Sequence, residues 1–178
     1  MSSDADPDRA VRDLSTWTVG RLETLTATQQ GQELERIRVV AQAHVYRSGE
    51  PRSARLRWAK LSLHANARLP GDSSWSRARK TRQNFALRTW VIDHLGPDTD
   101  PDWEPAVLVA DTLAALTLDP DRAVALAARW RDLPVGQIGE LRRHKNMTAH
   151  LDRLVDFVPP GPARDRLVTW TQARTHLP

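Results

Sequence analysis

Apolar residues recur along this chain at a spacing that suits helices. Val11, Leu14, Leu22 and Leu25 fall on one stripe of a 3.6-residue period, with Trp17 beside it. Leu34, Ile37, Ala41 and Val45 form a second stripe. Val107, Ala110, Leu113 and Ala114 form a third, and Leu151, Leu154, Val155 and Val158 a fourth. Strict alternation of apolar and polar residues, the mark of a half-buried strand, is scarce. The pattern predicts an all-α protein, a compact bundle of about eight or nine helices.

The punctuation agrees with the periodicity. Asp6-Pro7-Asp8, Asp100-Pro101-Asp102 and Asp119-Pro120-Asp121 each read as a helix start. The first Asp can accept from unpaired N–H groups, Pro suits the first helical position, and the second acid suits the positive end of the helix. Gly161-Pro162 reads as a start of the same kind. Breaks fall at Ser48-Gly49-Glu50-Pro51, Leu69-Pro70-Gly71-Asp72, Gly96-Pro97-Asp98, Leu133-Pro134 and Pro159-Pro160-Gly161. Helices are expected over 7–25, 28–47, 52–69, 74–95, 103–118, 120–133, 136–145, 147–158 and 162–176. A length of 178 residues suits a single helical domain, 1–178, with any subdomain break falling near 96–103.

Two of these helices stand out. On the wheel of 52–69, Leu56, Ala59, Leu63 and Ala67 share one side, while Ala54, Trp58, Leu61, Ala65 and Leu69 share the other. A helix apolar on two sides is held between neighbours. One edge between those sides carries Arg57, Lys60, His64 and Arg68, a basic stripe. The next helix has few apolar residues from Ser73 to Asn84 and becomes mostly apolar from Phe85 to Leu95. Its second half is expected in the core and its first half to project.

Composition adds a core and removes some chemistry. The chain is 40% hydrophobic and 27% charged, which suits a folded domain rather than a disordered one. It has no Cys, so disulfides, thiolate metal sites and Cys nucleophiles are excluded. The polar, acidic first residues do not read as a signal peptide, and a cytoplasmic location is expected. No apolar run is long enough for a membrane span.

Charge changes the picture more. The formal net charge is +4, but it is unevenly spread. Residues 1–46 carry −2, residues 47–88 carry +9, residues 89–140 carry −7 and residues 141–178 carry +4. Of 26 basic residues, 23 are Arg, whose planar fork matches phosphate oxygens. Crowding like charges costs self-repulsion that a polyanion relieves. The candidate nucleic-acid-binding residues are therefore Arg52, Arg55, Arg57, Lys60, Arg68, Arg77, Arg79, Lys80, Arg82 and Arg88. Their role would be to neutralise and hydrogen-bond phosphates with little sequence preference. Trp75, among the Arg residues, is a candidate for stacking on a base. The rival reading is internal neutralisation by the acidic stretch 89–140.

Other constellations carry less. Arg142-Arg143-His144-Lys145 is a second basic cluster that also suits a helix end. Asp98, Asp100, Asp102 and Glu104 imitate a Ca²⁺ loop, but Trp103 and Val109 stand where Gly and Glu are needed. The six His residues show no metal-ligand spacing, and no metal or other cofactor is expected. Arg143-His144…His150 resembles the Arg-then-His pattern of helical HEPN-type ribonucleases. That resemblance implies Arg stabilising phosphorane charge while His moves a proton, with no metal.

In size, helical content and basic surface, the whole chain resembles the small helical subunits of CRISPR effector complexes. The resemblance implies a non-catalytic subunit, present in several copies in a ribonucleoprotein, that helps hold RNA or single-stranded DNA beside other protein subunits. A DNA-binding regulator or plasmid or phage accessory factor is the alternative of a different kind, and a HEPN-like ribonuclease is the enzymatic one.

Overall fold

A computed structural model describes residues 18–178 apart from the side chains of Ser74 and Trp75. Among the described residues there are eight α-helices, three short 3₁₀ segments and no strand, so the chain is all-α as the periodicity predicts. The helices are α1 (Val19–Thr28), α2 (Gln32–Tyr46), α3 (Arg52–Arg68), α4 (Ser74–Leu95), α5 (Pro105–Ala114), α6 (Pro120–Ala127), α7 (Val135–Thr148) and α8 (Pro162–Arg174). The 3₁₀ segments are Pro101–Trp103, Trp130–Asp132 and Leu151–Phe157. The expected Asp6-Pro7-Asp8 start and the stripe positions Val11, Leu14 and Trp17 lie outside the described residues.

The chain divides into two units, one ending at Lys80 and the other running from Thr81 to Pro178. This corrects the expectation of a break near 96–103. That stretch is built into the second unit. The Asp98 N–H donates to the Trp103 carbonyl, the Trp103 ring is buried, and Arg88 bonds the carbonyls of Pro101 and Asp102.

In the first unit, α3 packs along α2 and against α1. Leu34, Ile37, Val40, Ala41 and Val45 of α2 meet Trp58, Ala59, Leu61 and Ala65 of α3 as core, with Leu22 from α1. The buried His44 ring stacks on Trp58 at 4.1 Å, and its Nδ1 lies 2.5 Å from the Glu50 carboxylate. α1 is capped by Thr18, whose hydroxyl accepts from the Arg21 N–H. The helix expected over 28–47 starts four residues late. Gly31 sits at φ +56°, a conformation that a side chain disfavours, and turns the chain between α1 and α2.

In the second unit, α8 packs on α5, α6, α7 and the segment Leu151–Phe157. The core joins Ile92, Leu108, Val109, Leu141, Leu151, Leu154, Leu167 and Trp170. Pro105 opens α5, and Glu104 before it is extended, as a residue preceding Pro prefers, so the expected 103–118 helix is shorter. The expected helix 147–158 is instead the last turn of α7 followed by a 3₁₀ segment. Its Leu151 and Leu154 are three apart and stack on one face at three residues per turn, so the same apolar spacing serves the tighter helix.

Candidate nucleic-acid interface

The basic stripe of α3 faces solvent. Arg57, Lys60, His64 and Arg68 are all exposed, because Trp58, Leu61 and Ala65 turn the opposite side into the core. Arg52 at the start of α3 and Arg77 and Arg79 on the first turns of α4 are exposed as well. The stretch 18–80 holds twelve Lys and Arg against five Asp and Glu, a net charge of +7. No pairing within that stretch can cancel the surplus.

Some of the candidate cations have protein partners that fix their geometry. Arg57 forms a two-pronged pair with Glu23 of α1, Nε at 2.9 Å and Nη2 at 2.6 Å from the two carboxylate oxygens. That hydrogen bond holds the Arg57 guanidinium still more firmly in its charged form. Arg79 reaches Glu35 of α2 at 2.9 Å. Glu35 also accepts from the nearly buried Arg38 at 2.7 Å and 2.8 Å, and chiefly that bond holds its carboxyl below the ordinary range.

Others close helix ends. Arg55 donates from Nε to the Val45 carbonyl at 2.7 Å, satisfying one of the last acceptors of α2. Lys80 donates from Nζ to the Ala67 carbonyl at 3.0 Å and the Leu69 carbonyl at 2.5 Å, capping α3. Arg77 bonds the Gly71 carbonyl at 3.0 Å, and Asn66 Nδ2 bonds the Lys80 carbonyl at 3.0 Å. These bonds correct the expectation that the first half of α4 projects. Its cations fasten it to the loop after α3. Arg55 and Lys80 thus hold the first unit together rather than present their charge outward. The side chain of Trp75, the candidate stacking residue, lies outside the described residues.

The last two candidates belong to the second unit. Arg82 is exposed. Arg88 is 5% exposed and fully engaged: Nη1 to Asp111 at 2.6 Å, Nε to the Asp102 carbonyl at 3.0 Å, Nη2 to the Pro101 carbonyl at 3.2 Å. Arg88 is therefore withdrawn from the surface set. It is the place where the rival reading, pairing with the acidic stretch 89–140, holds.

The Arg142–Lys145 cluster is spread over separate tasks. Lys145 donates to the Leu177 carbonyl at 2.7 Å, and Arg143 to the Thr117 hydroxyl at 2.8 Å. His144 is fully buried. Its Nε2 accepts from the N–H groups of Thr117 and Leu118 at 3.0 Å and 3.1 Å, and Nδ1 donates to the Glu140 carbonyl at 2.8 Å. Those partners require a neutral ring with its proton on Nδ1, and burial pushes its pKa below the ordinary His value. His150 is half-buried, with Asp152, Arg153, Arg174 and Arg82 as its charged neighbours, and desolvation first, then Arg153, lowers its pKa. Arg143 instead stands beside His144, where its charge also disfavours the protonated ring.

The acidic run serves turns: Asp100 accepts from the Asp102 N–H, and Asp98 from the Asp100 N–H. Among the described residues no group of three or more His, Asp or Glu could hold a metal ion, and no helix is long and apolar enough to cross a membrane. No protein family, curated protein or solved structure matches the chain.

One feature escapes the charge pattern. Gln29, Gln30, Gly31, Leu34, Arg68 and Pro70 line a pocket of about 450 Å³ in the first unit. The Gln-Gln-Gly triplet between two helical stripes is its one sequence signal. That triplet reads as helix unless Gly31 is given the role of turn.

Proposed function

We propose that the first unit is a non-catalytic holder of nucleic-acid backbone, acting within a larger ribonucleoprotein as the resemblance to CRISPR small subunits implies. The observation that carries this reading is the surplus of +7 over residues 18–80, in a unit whose α3 turns Arg57, Lys60 and Arg68 outward. A strand of phosphates relieves the repulsion among these cations and releases its counterions on binding. Arg52, Arg57, Lys60, Arg77 and Arg79 are the residues assigned to it. The exposed pairs Arg57–Glu23 and Arg79–Glu35 do not bar the role. Such surface pairs contribute about 0–1 kcal/mol, so a phosphate can take over from a carboxylate at little cost.

The test is binding of labelled single-stranded RNA, single-stranded DNA and duplex DNA at several salt concentrations. Expected is affinity that varies little with base sequence and falls with salt at a log–log slope of about −3, the value for roughly four single-strand phosphates neutralised. The double variant Arg52→Glu/Lys60→Glu should lose most of that affinity while keeping its helical circular dichroism. Binding unchanged in the double variant refutes the reading. Preference for one duplex sequence would point to a DNA-binding regulator, and shortened RNA to a ribonuclease.

A further inference from the structure

The pocket at the α1–α2 turn differs from the rest of the basic face in what its polar groups are doing. Arg57 and Arg79 are paired with carboxylates, and Arg55 and Lys80 with carbonyls. Among the described residues, the side chains of Arg68, Gln29 and Gln30 have no protein hydrogen-bond partner. Groups that no bond within the fold holds can be taken over by a ligand without breaking one. All three border one pocket, with the exposed ring of Pro70 as its apolar wall above the buried Leu34.

The chemistry of that set is specific. A guanidinium is a phosphate ligand. A carboxamide carries both a donor and an acceptor, which is what the edge of a base requires. An apolar wall suits the face of a base. A volume of about 450 Å³ falls in the range of small-ligand sites, a few hundred to about 1,000 Å³.

The position of Arg68 is prescribed as well. Lys80 bonds the carbonyls of Ala67 and Leu69, on either side of Arg68, so the end of α3 that carries it is fastened. Gly31 makes the turn that brings Gln29 and Gln30 to the same pocket.

We propose that this pocket takes one unpaired nucleotide of the bound strand, its phosphate on Arg68, its base against the exposed ring of Pro70 with Gln29 and Gln30 on the base edge. The proposal rests on the backbone-holding reading and adds to it a choice of strand. A base in a duplex is stacked and paired, so its edge is already used. Only a single strand can turn a base out into a pocket. The first unit then prefers single-stranded RNA or DNA over duplex, through a contact that charge alone does not supply.

The experiment compares the wild-type chain with Arg68→Gln, with Gln29→Ala/Gln30→Ala and with Arg52→Glu/Lys60→Glu. Probes are single-stranded RNA, single-stranded DNA and duplex DNA of about 12 nucleotides, within the site sizes of single-strand binders. Expected is that Arg68→Gln and Gln29→Ala/Gln30→Ala each weaken single-strand binding about tenfold, the size of one lost charge-assisted contact, while duplex binding changes much less. RNA and DNA arms show whether the sugar matters. If the pocket variants weaken single strand and duplex alike, or neither, while Arg52→Glu/Lys60→Glu still abolishes binding, this proposal falls and the backbone-holding reading stands. If the wild-type chain binds none of the probes, both fall.

Discussion

Arg88 on α4 donates to the Asp111 carboxylate on α5 at 2.6 Å, with the guanidinium side 7% exposed and the carboxylate side 50% exposed. Its two remaining prongs take the carbonyls of Asp102 and Pro101. Arg88 is thus the pin of the loop that precedes α5. Arg88→Met should lower stability by about 2–3 kcal/mol, since it leaves these acceptors unanswered. Urea unfolding followed by circular dichroism measures it. A variant as stable as the wild type but impaired in strand binding would return Arg88 to the surface set.

Lys80 is expected to behave unlike its basic neighbours. Its ammonium caps α3 through two carbonyls. Lys80→Met should cost about 1–2 kcal/mol, the range for hydrogen bonds from a charged donor. Arg68→Gln, which breaks no protein bond, should leave the unfolding midpoint in place. Equal midpoints for both variants would mean that Lys80 does not fasten the helix end.

The second unit should be acid-sensitive through His144. Its pKa in the folded chain lies below the ordinary 6.5, so the unfolded state takes up protons first. The stability it contributes is complete above pH 6.5 and is lost as pH falls below it, because a second ring proton would face the N–H groups of Thr117 and Leu118. The lowered pKa of His150 acts in the same direction. Glu35 contributes in a separate window, above the ordinary 4.5 of a Glu. Denaturant midpoints between pH 8 and pH 5 should fall in the wild type, and fall less in His144→Gln, which cannot be protonated. A pH-independent midpoint in the wild type over this range contradicts the neutral, proton-accepting ring.

Gly31→Ala isolates a backbone effect. No heavy atom lies within 4 Å of where its Cβ would stand, so there is no clash, yet φ +56° disfavours a side chain. A loss of roughly 1–2 kcal/mol is expected in thermal unfolding. Gly49→Ala, where the Cβ also meets open space and φ is not positive, should cost little. Equal effects of the two substitutions would remove the turn argument.

Much of the fold is legible in the chain. The stripe Leu34, Ile37, Ala41 and Val45 became core as its spacing predicts, since a helix places such residues on one side wherever it lies. The same holds for the outward Arg57–Lys60–His64–Arg68 edge of α3. Helix ends were less legible. The late start of α2 depends on a turn conformation at Gly31, and the 3₁₀ form of Leu151–Phe157 shares its apolar spacing with an α-helix.

By itself, then, the sequence determined the helical class, the apolar stripes and a positive block over 47–88, because periodicity and charge are sums over local residue types. Only the tertiary structure decided which cations remain at the surface. Arg57 against Glu23, Arg79 against Glu35 and Arg88 against Asp111 are pairs 34, 44 and 23 residues apart in the chain. The grouping of Gln29, Gln30 and Arg68 around one pocket was decided in the same way. Partners so distant along the chain are chosen by how the helices pack, and no local pattern records that choice.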